Sequence, residues 1–66
     1  MNARLVNGFD YRSHKPIARP MNEWRAEIER ACAQGGEARR IAGDLTIFDK
    51  RGHMQFEVYD KSGGSL

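Results

Sequence analysis

The 66-residue chain has one cysteine, Cys32, and two prolines, Pro16 and Pro20. A single cysteine forms no internal disulfide, so the fold lacks the cross-links that often stabilise domains of this size. An unpaired thiol is typical of a reducing compartment, and no apolar run is long enough for a signal peptide or a membrane span. We therefore expect a cytoplasmic protein that has no membrane partner.

Groups that carry out chemistry are also scarce. Cys32, His14 and His53 have a spacing that matches no zinc motif. Ser13 precedes His14 directly, but adjacent side chains of an extended segment point to opposite sides and form no catalytic pair. Since no acid–base pair can be identified, we expect a protein that is not an enzyme and has neither cofactor nor metal ion.

The positive charge is concentrated near the N-terminus. Residues 1–21 contain four basic residues and one acidic residue (4 − 1 = +3), whereas residues 22–36 contain two and three (2 − 3 = −1). Residues 37–66 contain five of each, which leaves the whole chain at +2. The segment between Tyr11 and Asn22 has no acidic residue. Such a segment can contact phosphates or an acidic protein surface.

One stretch has the apolar periodicity of an amphipathic helix. Either Asn22 caps its start or Pro20 lies in its first turn, and the sequence does not decide between them. The pair Gly35-Gly36 ends the helix. The apolar stripe, which we expect to be buried, consists of Trp24, Ile28, Ala31, Cys32 and Gly35.

Residues 41–48 and 53–59 alternate with the period of strands, and the Asp49–Gly52 segment between them has turn residues. We predict a hairpin with a four-residue loop, which pairs Phe48 with His53. A loop one residue shorter would turn the apolar side chains of the two strands to opposite faces. The predicted register has one unfavourable feature, since it sets Asp44 opposite Glu57.

The N-terminal segment from Leu5 to Tyr11 also alternates, which predicts one strand with a bulge at Gly8. The alternative is a short hairpin that turns on Asn7-Gly8. Residues 13–19 are expected to form a loop. The predicted core contains Leu5, Phe9, Ile17, Met21, Trp24, Ile28, Ala31, Cys32, Ile41, Leu45, Ile47, Met54, Phe56 and Val58.

These elements predict an α+β fold of the order β-α-β-β. The first strand pairs antiparallel with the third in a three-stranded antiparallel sheet, and the one amphipathic helix packs on one face. Residues 1–61 form a single small domain, and residues 62–66 form a frayed C-terminal tail.

Two surfaces are candidates for binding a partner. The first is the basic segment 12–19, with the Arg39-Arg40 pair expected nearby, and the second is the outer face of the hairpin, with its exposed aromatic residues. For each of them ordinary solvation is the default explanation. The candidate residues are Arg12, His14, Lys15, Arg19, Arg39, Arg40, Phe48 and Tyr59.

We expect a small non-catalytic protein-binding module that occludes a host protein or a nucleoprotein complex. Phages and mobile elements encode inhibitors of this size, such as anti-CRISPR proteins, and that prediction depends on size and on no motif. The alternative is a nucleic-acid-binding accessory protein that uses the basic loop and an aromatic sheet face. Self-association through a strand edge, giving a homodimer, is compatible with both.

Overall fold

The computed structural model describes residues 4–59, and the predicted tail at 62–66 lies outside them. The strands form one antiparallel sheet in the order β2-β1-β5-β4-β3. The helix packs on one face, called here the inner face, and the opposite face is called the outer face. The elements are β1 (Leu5–Asp10), β2 (Lys15–Pro20), α1 (Met21–Ala33), β3 (Glu37–Ile41), β4 (Asp44–Phe48) and β5 (Met54–Val58).

The predicted sheet of three strands is wrong, because the sheet has five and the order is ββαβββ. The single helix of the prediction is present, and β1 pairs antiparallel with β5, as expected for the first and third predicted strands. The two missed strands, β2 and β3, form the two edges of the sheet.

Residues 15–20 form the edge strand β2 instead of the predicted loop at 13–19, which Pro16 favours because a proline cannot donate a backbone hydrogen bond. The backbone N–H of Tyr59 donates to the carbonyl oxygen of Asn7 at 2.8 Å, so the odd-numbered residues of β1 hydrogen-bond to β5. Phe9, which lies opposite Pro16, therefore bonds away from β2, and both prolines direct their backbone nitrogens towards the open edge. A strand with prolines at these positions loses no ladder hydrogen bond.

The other missed strand, β3, ends where the predicted strand 41–48 turns back on itself. Ala42 and Gly43 have φ angles of 54° and 88°, the left-handed pair typical of a two-residue type I′ turn. Ile41 is consequently paired with Asp44 and is 49% exposed, so its predicted place in the core is wrong.

The β4–β5 hairpin turns at the predicted Asp49–Gly52 segment, but the predicted four-residue loop is wrong: the N–H of Asp49 donates to the carbonyl oxygen of His53 at 2.9 Å, so the loop has three residues. Beyond the turn, the register of the two strands is shifted by two residues from the predicted one. Ile47 lies opposite Phe56 instead of Met54, and a bulge between Ile47 and Phe48 accommodates the shift. A shift of two preserves the faces of a strand, so the apolar side chains still point inwards. Of the predicted core residues on β4 and β5, only Met54 lies outside the core, with 48% of its surface exposed.

The observed register also removes the unfavourable pair of the predicted one, because Glu57 faces Thr46 and not Asp44. The turn itself is held by Asp49, whose Oδ1 accepts hydrogen bonds from the backbone N–H groups of Arg51 at 2.9 Å and His53 at 2.8 Å. These hydrogen bonds, with that to His53 first, hold the pKa of Asp49 below its usual value.

The helix forms as predicted, although its cap differs. Pro20 occupies the N-cap position without a side-chain hydrogen bond, and Asn22 lies inside the first turn, so neither predicted start is correct. At the C-terminus Gly35 has a φ of 93°, and the N–H of Gly36 donates to the carbonyl oxygen of Ala31 at 2.9 Å. The predicted stop at Gly35-Gly36 is confirmed.

The core is smaller than predicted. Leu5 is 59% exposed, Cys32 is exposed, and Phe9 belongs to the outer face. Cys32 follows Trp24 by eight residues, about 80° around the helix, which places it at the margin of the stripe. The buried core is Trp24, Leu45, Ile47, Phe56 and Val58, flanked by the half-buried Val6, Ile17, Met21, Ile28 and Ala31.

Gly8 is regularly paired on both sides, with Ile17 and Val58, so the predicted bulge and the alternative turn are both wrong. The glycine is needed for close packing. A Cβ atom at this position would lie 2.3 Å from the carbonyl oxygen of Glu57 and 2.7 Å from Cζ2 of Trp24. The absence of a side chain lets the indole ring lie directly on the sheet.

We predict that Gly8→Ala lowers the free energy of unfolding by about 3 kcal/mol, because the methyl group overpacks a site bounded by backbone and indole. Gly52→Ala is the control, because its Cβ would meet nothing within 4 Å although φ is +86°. That change should cost about 1 kcal/mol through backbone strain alone. Urea denaturation followed by tryptophan fluorescence measures both, and equal losses would contradict the packing role of Gly8.

Candidate interaction surface

Four aromatic side chains belong to the outer face of the sheet, opposite the helix. Strand alternation and register place Phe9, Tyr11 and Tyr59 on the β1–β5 part and Phe48 at the end of β4. The rings of Phe9 and Tyr11 have centroids 4.9 Å apart and are tilted by 57°. Within residues 4–59 no helix or second sheet covers this face.

The tyrosines lie beside carboxylates. The Tyr11 hydroxyl donates a hydrogen bond to Oε1 of Glu57, and this bond, with burial and the Glu57 charge, raises the pKa of Tyr11 to about 12. Burial and the charges of Glu57 and Asp44 also raise the pKa of Tyr59. Both shifts have the sign expected where negative charge opposes phenolate formation.

At the opposite end of the outer face, Arg39 lies over the ring of Phe48 at 5.3 Å from its centroid. Its Nε donates a hydrogen bond to Oε2 of Glu37 at 2.7 Å, so the guanidinium is held by both the ring and the carboxylate. Between the two ends, Thr46 is only 4% exposed beneath its neighbours. The charged residues that the strands direct to this face are Glu37, Asp44 and Glu57 against Arg39 (1 − 3 = −2).

A shallow depression of about 260 Å³ lies beside Tyr59 on the same face. Asn7, Pro16 and Ala18 contribute to its wall, and the Gly8 backbone forms part of its floor. A flat aromatic surface next to a shallow hollow can accept a protruding side chain of a partner.

Two of the predicted basic residues, Arg12 and Arg19, lie on the inner side of the sheet. Arg12 lies over the Phe56 ring at 5.3 Å and pairs with Asp10 at 3.1 Å. Arg19 lies 5.8 Å from the centroid of the Trp24 ring. These contacts hold both guanidinium groups on the inner face.

The remaining basic candidates are dispersed. Lys15 lies opposite Asp10 in the β1–β2 ladder, at the start of β2. His14 lies in the preceding turn, where its φ angle is 57°. Arg40 belongs to the inner face of β3, next to Arg39 in sequence but on the opposite side of the sheet. Because β2 and β3 are opposite edges, the expected proximity of the two basic groups is wrong.

Among the eight candidate residues, the structure brings Arg39 and Phe48 together, with Tyr59 on the same face. Phe9 and Tyr11 belong to this surface and were missed as binding residues. The sequence gives no signal for them, because only the structure shows that Gly8 faces Trp24, which turns the odd-numbered residues of β1 outwards.

Within residues 4–59 no group of three histidine, cysteine or acidic side chains is arranged to hold a metal ion. No helix in that range is long and apolar enough to cross a membrane. Comparisons with protein-family models, curated proteins and solved structures find no match for this chain. The surface must therefore be interpreted from its own chemistry.

We predict that Glu57→Gln lowers the pKa of Tyr11 from about 12 towards its ordinary value of 10.0. The change removes the carboxylate charge that opposes ionisation. Ultraviolet absorbance during an alkaline titration measures this in a Tyr59→Phe background, where Tyr11 is the only tyrosine of the chain. Glu37→Gln is the matched control and should leave the titration unchanged.

The same shift links stability to pH. Because the pKa of Tyr11 is raised in the folded state, its stabilising effect is complete below pH 10 and is lost as the pH rises from 10 to about 12. Glu57→Gln should remove this dependence, and a dependence that persists in the variant would contradict the assignment.

Proposed function

We propose that this chain is a non-catalytic protein-binding module and that the outer face of its sheet is the contact surface. The observation that carries the proposal is the group of four aromatic side chains on the sheet face that no helix of residues 4–59 covers. Aromatic residues are enriched at the energetic centres of protein interfaces, since they contribute large contact areas at little entropic cost.

The charge of this face favours a protein with a basic surface. The strands direct three carboxylates and one guanidinium outwards, so the aromatic residues lie in a negative surrounding. Complementary charges speed association and orient the partner. A nucleic-acid backbone would be repelled here, and the basic residues that the alternative function requires lie on the inner side.

A module of this kind acts by occupying a surface of its partner. The narrower prediction is an inhibitor encoded by a phage or mobile element, which blocks a host protein or nucleoprotein complex in the cytoplasm. Small size supports it, as does the exposed unpaired thiol of Cys32, which is suited to a reducing compartment.

Two asparagine substitutions test the surface as a matched pair. Asn7 is exposed on the outer face beside Tyr59, and Asn22 is exposed on the helix. We predict that Asn7→Arg prevents capture of the partner, because it adds like charge and bulk at the centre of the contact. Asn22→Arg adds the same charge outside it and should leave capture unchanged.

The measurement is quantitative mass spectrometry of proteins captured from lysate of the source organism, with and without nuclease. The proposal requires at least one protein that is retained by the original chain and by Asn22→Arg, is lost with Asn7→Arg and is insensitive to nuclease. Capture that disappears with nuclease would instead favour the nucleic-acid function. Equal capture by both variants would exclude the outer face as the contact.

A further inference from the structure

The inner side of the molecule has a second feature, an open cleft of about 370 Å³ between α1 and the turn that joins β4 to β5. Its volume is at the lower end of ordinary ligand sites. Four cationic and two anionic side chains line it (4 − 2 = +2), from the β1–β2 turn, the helix and the β4–β5 turn, namely Arg12, Arg30, Lys50, Arg51, Glu27 and Asp49.

Both carboxylates of the cleft are already engaged. Asp49 accepts hydrogen bonds from two backbone N–H groups of its own turn, at 2.8 and 2.9 Å, and one from Nε2 of Gln55 at 3.3 Å. Glu27 lies 3.0 Å from Arg30 and 4.0 Å from Arg19. Neither carboxylate can rotate to neutralise the remaining cations without losing these contacts.

Of the four cations, Arg12 and Arg30 each form an ion pair with a carboxylate, whereas the other two do not. Arg12 is fixed by Asp10 and by the ring of Phe56, which leaves its guanidinium edge at the cleft. In contrast, no carboxylate oxygen of the described chain lies within 4.0 Å of the side-chain nitrogens of Lys50 or Arg51. The cleft therefore combines positioned donors with an uncompensated positive charge.

We propose that this cleft binds the dianion of a phosphate monoester. Its two negative charges can be matched by Lys50 and Arg51, which form no ion pair within the described chain, and three phosphate oxygens can accept hydrogen bonds from cations that approach from different elements. A carboxylate or a phosphodiester carries a single charge and leaves one cation unmatched. The site is distinct from the outer face and does not depend on the function proposed for that face.

The experiment uses ¹⁵N-labelled protein at constant ionic strength and about pH 7.5, where a phosphate monoester is dianionic. Chemical shifts are followed during titration with methyl phosphate, inorganic phosphate, dimethyl phosphate and acetate. We expect the two dianions to shift the amides of residues 49–52 and to bind more tightly than the two monoanions.

The test variant is Lys50→Ala combined with Arg51→Ala, and the matched control is Arg4→Ala combined with Arg25→Ala, two exposed residues outside the cleft. Each variant removes two positive charges. The test variant should bind methyl phosphate about tenfold more weakly, since it loses the two cations that form no ion pair, whereas the control should bind normally. Unchanged dispersion of the amide spectrum shows that each variant is folded.

Two further ligands distinguish the sources of the phosphate. A short peptide with one phosphoserine, compared with its unphosphorylated form, represents a modified protein, and adenosine 5′-monophosphate represents a small metabolite. Tighter binding of either than of methyl phosphate identifies the source and supports the site. The proposal is overturned if no dianion binds, if dimethyl phosphate binds as tightly, or if both double variants weaken binding equally.

Discussion

The structure depends on the contact between the Trp24 indole and the backbone of β1. The ring is 1% exposed, stacks on Phe56 at a centroid distance of 5.5 Å, and donates through Nε1–H to the carbonyl oxygen of Val6 at 2.9 Å. Only a glycine at position 8 lets it approach so closely. Since this contact turns residue 8 inwards, it also turns Phe9 and Tyr11 outwards. One interaction thus specifies both the core and the aromatic surface.

The edges of the sheet differ in a way that bears on association. On β2, Pro16 and Pro20 occupy two of the positions whose backbone faces outwards, so a further strand would find few donors there. Edge-to-edge pairing through β2 is therefore unfavourable, and the predicted homodimer would need another surface. The other edge, β3, contains no proline and is exposed along its whole length, so it is the edge at which pairing with a further strand remains open.

The sequence predicts those parts of the fold that depend on strong local periodicity, and it fails where a tertiary position overrides a local signal. The helix and the β4–β5 hairpin follow from their patterns, and parity correctly places Leu45, Ile47 and Phe56 on one face. The parity argument assumes a regular ladder, and it wrongly rejects the three-residue loop, because a bulge after Ile47 lets that loop keep the apolar side chains on one face.

The missed strands have equally specific causes. The β2 prolines read as loop signals because an edge position cannot be recognised before the order of the sheet is known. The turn at Ala42-Gly43 lacks the usual asparagine or aspartate, and it requires an alanine at a φ of 54°. The aromatic surface could have been inferred in part, since two of its four residues were expected on the outside. Phe9 was assigned to the core because hydrophobicity alone does not specify a face.

The net charge of +2 conceals two surfaces of opposite sign. The outer face carries a formal charge of −2 from its strands, and the lining of the inner cleft carries +2. At physiological ionic strength the ions of the surrounding solution screen exposed charges over about 8 Å, so side chains on opposite faces of the sheet affect one another little through solvent. Each surface therefore presents its own sign to solution, and the two proposed contacts, one with a basic protein surface and one with a phosphate monoester, lie on opposite sides of the sheet.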